Sequence, residues 1–223
     1  MNVKTKLFRR LTGVVALLVF SQGAYAQNVT VTVQDAKQNL VENIVVYLLP
    51  KQGSEHLPVN TTPVVIDQKD KKFAPYITVV QKGQSLNFVN KDDITHHIYS
   101  VSGENRFEFK IKENETKTSP MMSHTEEVAM GCNIHDWMSG YALVVDTPLF
   151  GKTDDQGQLA LSVPEGEYQV IAWHPQLDVE TNRFGKTVVI NGDVSTISLN
   201  LPKTLLPIPE QIGQDSFDFL EEY

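Results

Sequence analysis

A thiolate, an imidazole and a thioether fall within seven residues of this 223-residue chain, at Cys132, His135 and Met138. Thiolate and imidazole bind soft or borderline metals strongly, and a thioether among the donors favours copper. A tight loop between two strands can turn all three onto one point. A trigonal copper site takes two imidazoles and one thiolate in its plane, with a weak axial thioether, so the loop lacks one imidazole. His96 and His97 stand upstream, after the polar segment from Asn90 to Thr95. A histidine there, on a neighbouring strand, could reach the loop. Ligands drawn from separate strands form a rigid frame, and a rigid frame lets a metal change oxidation state with little ligand movement.

Rival chemistries fit less well. A structural zinc site takes four strong ligands, usually several of them cysteines; here there is one cysteine, and the fourth donor is a thioether. A cysteine nucleophile with a histidine base normally draws the two from separate elements, whereas Cys132 and His135 are three residues apart. The chain has no serine-hydrolase elbow, phosphate loop or dinucleotide fingerprint. No second cluster of several histidines offers another copper centre. The sequence points to a metal-binding carrier rather than an enzyme.

The elements around the loop are read from the N-terminus. Lys4, Lys6, Arg9 and Arg10 precede an apolar run from Leu11 to Phe20, and Ala24 to Ala26 gives an Ala-x-Ala site. This is the pattern of a secretory signal peptide over residues 1–26. The apolar run is about half of the ~20 residues that span a bilayer. Export to a periplasm-type compartment is expected, with a soluble mature chain. That chain would carry 15 basic and 27 acidic side chains, a net charge of −12. Such a surface repels nucleic acid and steers towards basic partners. In an oxidising compartment a lone cysteine cannot form an internal disulfide, which leaves an inert buried thiol, an intermolecular bridge or a metal ligand.

The rest reads as short strands. Val29, Val31 and Val33 alternate with polar residues, and Ile44 to Leu49 is β-branched and aromatic. Further strands are expected at Val64 to Ile66, Tyr76 to Val80, Ser85 to Val89, His97 to Val101, Phe107 to Ile111, Glu127 to Met130 and Tyr141 to Val145. Turn signals then restart the rhythm, with strands at Leu159 to Val163, Tyr168 to Trp173, Lys186 to Ile190 and Ile197 to Leu201. Even spacing without a long amphipathic helix indicates an all-β sandwich protein. The tail from 203 to 223 is acidic and contains prolines; it is either a mobile arm or a strap.

The segment from about Thr62 to Val145 resembles the cupredoxins of the plastocyanin and amicyanin group. Phe73 to Pro75, Ile77 to Val79 and Gly83 match their second-strand signature. Phe88 to Asn90, with a histidine six residues after the asparagine, matches their first-ligand segment and selects His96 over His97. Cys132, His135 and Met138 match the amicyanin ligand loop in spacing. The resemblance implies a Greek-key β-sandwich over 62–145 and one type 1 copper ion on His96, Cys132, His135 and Met138. It places the backbone amide of His97 near the thiolate. Trp137 is either part of an apolar docking patch around His135 or packing under the loop. Asp136 stands where amicyanin has proline.

The flanks, 27–58 and 146–202, resemble a small prealbumin-type sandwich of the carboxypeptidase regulatory-like kind, into which the cupredoxin would be inserted. As a whole the chain is similar to bacterial methylamine utilization and plastocyanin-like proteins. The resemblance implies a periplasmic one-electron carrier, with electrons leaving by the exposed edge of His135; the acidic face suggests a basic redox partner such as a cytochrome, and the family name an amine dehydrogenase. A copper-handling or binding module is the alternative. Met121, Met122, His124 and Met130 are expected either to lie near the site or simply to pack.

Overall fold

The computed structural model describes residues 26–52, 57–101, 103–192, 194 and 196–211. The expected signal peptide, save its last residue, and the tail beyond 211 lie outside the described residues. The described chain forms sixteen strands and no helix. In order they are β1 (Ala26–Gln34), β2 (Val45–Pro50), β3 (Val64–Lys69), β4 (Lys72–Ala74), β5 (Ile77–Gln81), β6 (Leu86–Asn90), β7 (His96–Ser100) and β8 (Phe107–Ile111). There follow β9 (Thr116–Thr118), β10 (Glu127–Cys132), β11 (Ser139–Val145), β12 (Phe150–Lys152), β13 (Gln158–Pro164), β14 (Gly166–Trp173), β15 (Arg183–Ile190) and β16 (Thr196–Asn200). The all-β reading of the sequence is what the structure shows.

Four sheets hold these strands, in the orders β13-β1-β16, β12-β2-β14-β15, β5-β11-β10-β7-β8 and β4-β3-β6-β9. The first two are built only from the chain's two ends, and the last two only from its middle. Three apolar clusters separate the four layers. Val31, Leu48, Val170 and Leu199 fill the first sandwich. Ile66, Phe88, Ile98 and Ala142 fill the second. Between the sandwiches, Val45, Tyr47, Leu143, Val145, Ile171 and Trp173 form the third.

Period-2 geometry explains how one strand serves two cores. Along β2, Val46 and Leu48 face the first core while Val45 and Tyr47 face the junction. In β11, Ala142 and Val144 face the second core, and Leu143 and Val145 the junction. Strands buried on both faces read as continuous apolar runs, which is how Tyr141 to Val145 appears in the sequence.

The site is positioned by β7, β10 and β11. β10 runs antiparallel to β7, with Cys132 opposite Ile98 and Gly131 opposite Tyr99. Residues 133–138 turn β10 back into β11, its other neighbour. Gly131 has a steric reason: a Cβ there would lie 2.9 Å from Cζ and Oη of Tyr99.

One ionisable group is buried near the junction. His174, 2% exposed, accepts the backbone N–H of Gln176 on Nδ1 at 3.1 Å. Burial lowers its pKa to about 4. The unfolded chain therefore takes up the proton first as pH falls, and folding stability drops. The contribution is intact above about pH 6.5 and is lost as pH falls towards 4, reaching about 3 kcal/mol. Urea unfolding at pH 7 and pH 4 should show this loss for the native chain and a loss about 3 kcal/mol smaller for His174→Gln. Equal losses in the two proteins would contradict the assignment.

Candidate metal centre

His96 opens β7, Cys132 closes β10, and His135 lies in the loop between β10 and β11. All three are buried, and their donor atoms lie within 4.8 Å of one another. Nδ1 of His96 stands 3.8 Å from Sγ of Cys132, and Nδ1 of His135 stands 3.7 Å from it. The two imidazole rings meet at 5.1 Å between centroids, tilted by 59°.

These distances suit a bound ion. A metal bonded to sulfur at about 2.3 Å and to nitrogen at about 2.0 Å, lengths that zinc makes, separates the two donors by about 3.7 Å at a trigonal angle. The donor set adds selectivity. Met138 is buried in the same apolar cluster as Cys132, and both line a surface cavity of about 390 Å³. Its N–H donates to the carbonyl of His135 at 2.9 Å, which folds the loop back on itself. Two imidazoles, a thiolate and a nearby thioether suit copper better than zinc.

Strand alternation separates the two upstream histidines. His96 points into the core, and His97 points to the other face, where Nε2 pairs with Glu108 Oε1 at 2.7 Å. Main-chain groups of His97 do serve the site. Its carbonyl accepts the N–H of Asn133 at 2.9 Å, tying the loop to β7. Its N–H, with those of Ile134 and His135, lies close enough to the Cys132 sulfur to lower the thiol pKa. That amide was expected near the thiolate.

Asp92 was not picked out from the sequence. Its Oδ2 lies 2.7 Å from Nε2 of His96. The same carboxylate accepts the N–H of Asp70 at 2.7 Å and of Lys71 at 3.1 Å, and so anchors the β3–β4 turn. Asn90 shapes the turn that presents it: Asn90 Oδ1 accepts the Asp92 N–H at 2.9 Å, and Nδ2 donates to the carbonyls of Ile94 and Ile111. A carboxylate on the far nitrogen of a ligand histidine fixes its tautomer and orientation and raises its basicity. The signal was an acid four residues before the histidine in a polar turn. Asp92→Asn should weaken copper binding by about tenfold, measured by competition with a chelator of known affinity. Unchanged affinity would show that the contact does not support the site.

The electrostatics shift Cys132 towards ionisation. Burial resists ionisation of Cys132, but hydrogen bonds from His96 and from the backbone N–H groups outweigh it, and its pKa falls below that of a free thiol. Burial likewise resists charging of His96, but its bonds to Cys132 and Asp92 outweigh that, and its pKa is raised. His135 moves the other way, lowered by burial and then by repulsion from His96. Thiolate and neutral imidazole are the forms that bind metal.

Other sequence candidates separate cleanly. The His135 edge is less open than expected, at 7% exposure. The Trp137 ring lies 5.3 Å from that imidazole, tilted by 55°, so it packs against the candidate ligand. Met130 shares the core and the cavity lining with Cys132. Met121, Met122 and His124 precede the start of β10, at the end of that strand away from Cys132.

No protein-family model matches this chain, and no curated protein matches it. Three solved structures are similar to part of this chain. The copper-containing nitrite reductase of Thermus scotoductus SA-01 aligns at 21% identity and a TM-score of 0.36, over 44% of this chain and 27% of the reductase. The Cu(I) form of an amicyanin point mutant aligns at 15% identity and a TM-score of 0.35, over 44% of this chain and 99% of amicyanin. A purple cupredoxin from Nitrosopumilus maritimus aligns at 15% identity and a TM-score of 0.33, over 37% of this chain and 99% of that protein.

Proposed function

We propose that this chain is a periplasmic carrier of single electrons, with one type 1 copper held by His96, Cys132, His135 and Met138. The observation that carries this reading is the convergence of two imidazole Nδ1 atoms on one buried thiol. Copper supplies a one-electron couple when bound. The chain's own part is to hold the ligands still. β7 and β10 fix His96 and Cys132 through paired backbone, the 133–138 loop is tied to β7 through Asn133, and Asp92 locks the His96 ring. The backbone N–H groups near the Cys132 sulfur stabilise its negative charge, and His96, Cys132 and His135 are buried. A frame that moves little keeps the reorganisation cost of electron transfer small.

The proposed partners are redox proteins, a cytochrome or an amine dehydrogenase, with a basic docking face that suits the acidic chain. No helix among the described residues is long and apolar enough to cross a membrane. The test is repeated reduction and reoxidation of the copper-loaded protein, with metal content measured after each cycle. The reading expects about one copper per chain throughout. Release of copper on reduction would favour a copper-handling role instead.

A further inference from the structure

We infer that the cavity at the junction of the two sandwiches is a binding site for a small oxyanion, held by Lys152 and His174. The cavity has a volume of about 140 Å³ and is lined by Lys152 and His174 together with Tyr76, Ile77 and Ile208, among others. At about 30 Å³ per water molecule it has room for roughly four or five waters, or one anion of similar size.

Its charge is one-sided. Lys152, on β12, is half-buried, and its ammonium donates to the carbonyl of Ile77 at 3.1 Å. One of three N–H donors is thereby used. No carboxylate among the described residues pairs with it, although the chain has 27 acidic side chains against 19 basic ones. Burial alone acts on its charge, and it lowers the pKa. A half-buried cation without a counter-charge is costly unless something pairs with it.

His174 adds a donor and no compensating charge. Its Nδ1 is taken as acceptor by the Gln176 N–H, so in the neutral ring the proton sits on Nε2. That N–H has no protein acceptor among the described residues. Tyr76 faces the same space with its hydroxyl oxygen already accepting Gln176 Nε2 at 3.1 Å. An ammonium and an imidazole N–H on one small cavity match the two oxygens of a carboxylate, or two of those of an inorganic oxyanion. None of the cavity's lining residues is a candidate copper ligand, so this site is independent of the electron-carrier reading.

The experiment is a nuclear magnetic resonance titration of the purified chain at pH 7, with sodium acetate in one arm and sodium phosphate in the other. The His174 side-chain resonance is followed in each. A saturable shift of that resonance is expected in at least one arm. Saturation by acetate alone marks a carboxylate ligand, and saturation by phosphate alone an inorganic one. Lys152→Met should weaken binding by about tenfold or more, while Lys152→Arg, which keeps the charge, preserves it. Absence of a saturable shift in both arms overturns the inference without recourse to any variant, as does unchanged binding by a folded Lys152→Met chain.

Discussion

Replacement of Cys132 by serine is expected to abolish the intense visible absorption of the copper-loaded protein. That absorption needs a thiolate bonded to the metal, and Cys132 is the chain's one sulfhydryl. A serine hydroxyl is far weaker as an anionic donor at neutral pH, and oxygen suits harder ions than the copper selected by sulfur and imidazole. His96 and His135 remain to bind Cu(II), so the variant should show at most the pale spectrum of ordinary copper. His97→Ala supplies the contrast. That side chain pairs with Glu108 on the other face of β7, so its loss should leave the band in place. An intense band surviving in Cys132→Ser would exclude the assigned ligand set, whatever else the protein binds.

Trp173→Ala is expected to destabilise the metal-free protein by about 3–5 kcal/mol, as truncations of buried tryptophan do. Trp173 is 0% exposed and packs in the cluster that joins the two sandwiches. Its indole N–H donates to Glu127 Oε2 at 3.2 Å, and Glu127 is the first residue of β10, the strand that ends in Cys132. Truncation removes apolar area, opens a cavity at the junction and takes a donor from a carboxylate. Melting should fall by roughly 10 °C for a chain of this size. The copper band should persist below the new midpoint, because no candidate ligand touches the indole. A loss under about 1 kcal/mol would mean that the junction contributes little to stability.

The sequence was most legible where a side chain's chemistry and its strand parity agree. Cys132 and His135 stood out by type and spacing, and strand register places His96 rather than His97 beside them. The alternating strands, such as Val29 to Val33, were equally plain. Three short strands were missed: Lys72–Ala74, Thr116–Thr118 and Phe150–Lys152. Three residues carry no readable period, and their neighbours' pairing holds them. The turn before the first of these is formed by Asp70 and Lys71, with φ of 55° and 58°. Asp70 is a favoured first residue of such a turn, but Lys71 stands where glycine is usual. Asp92 was hidden for a different reason. Its role depends on one carboxylate reaching both His96 and the β3–β4 turn, a tertiary arrangement that composition does not report. Burial of the His135 edge was hidden likewise, since it depends on how the 133–138 loop lies and on Trp137 packing against the ring.

Two imidazoles and one thiolate are proposed to bind copper together. The most direct measurement is the visible and electron spin resonance spectrum of the purified chain during titration with Cu(II). An intense blue or green band is expected to grow to saturation at one copper per chain, with narrow copper hyperfine splitting. A colourless product, or an ordinary copper spectrum at saturation, would contradict it.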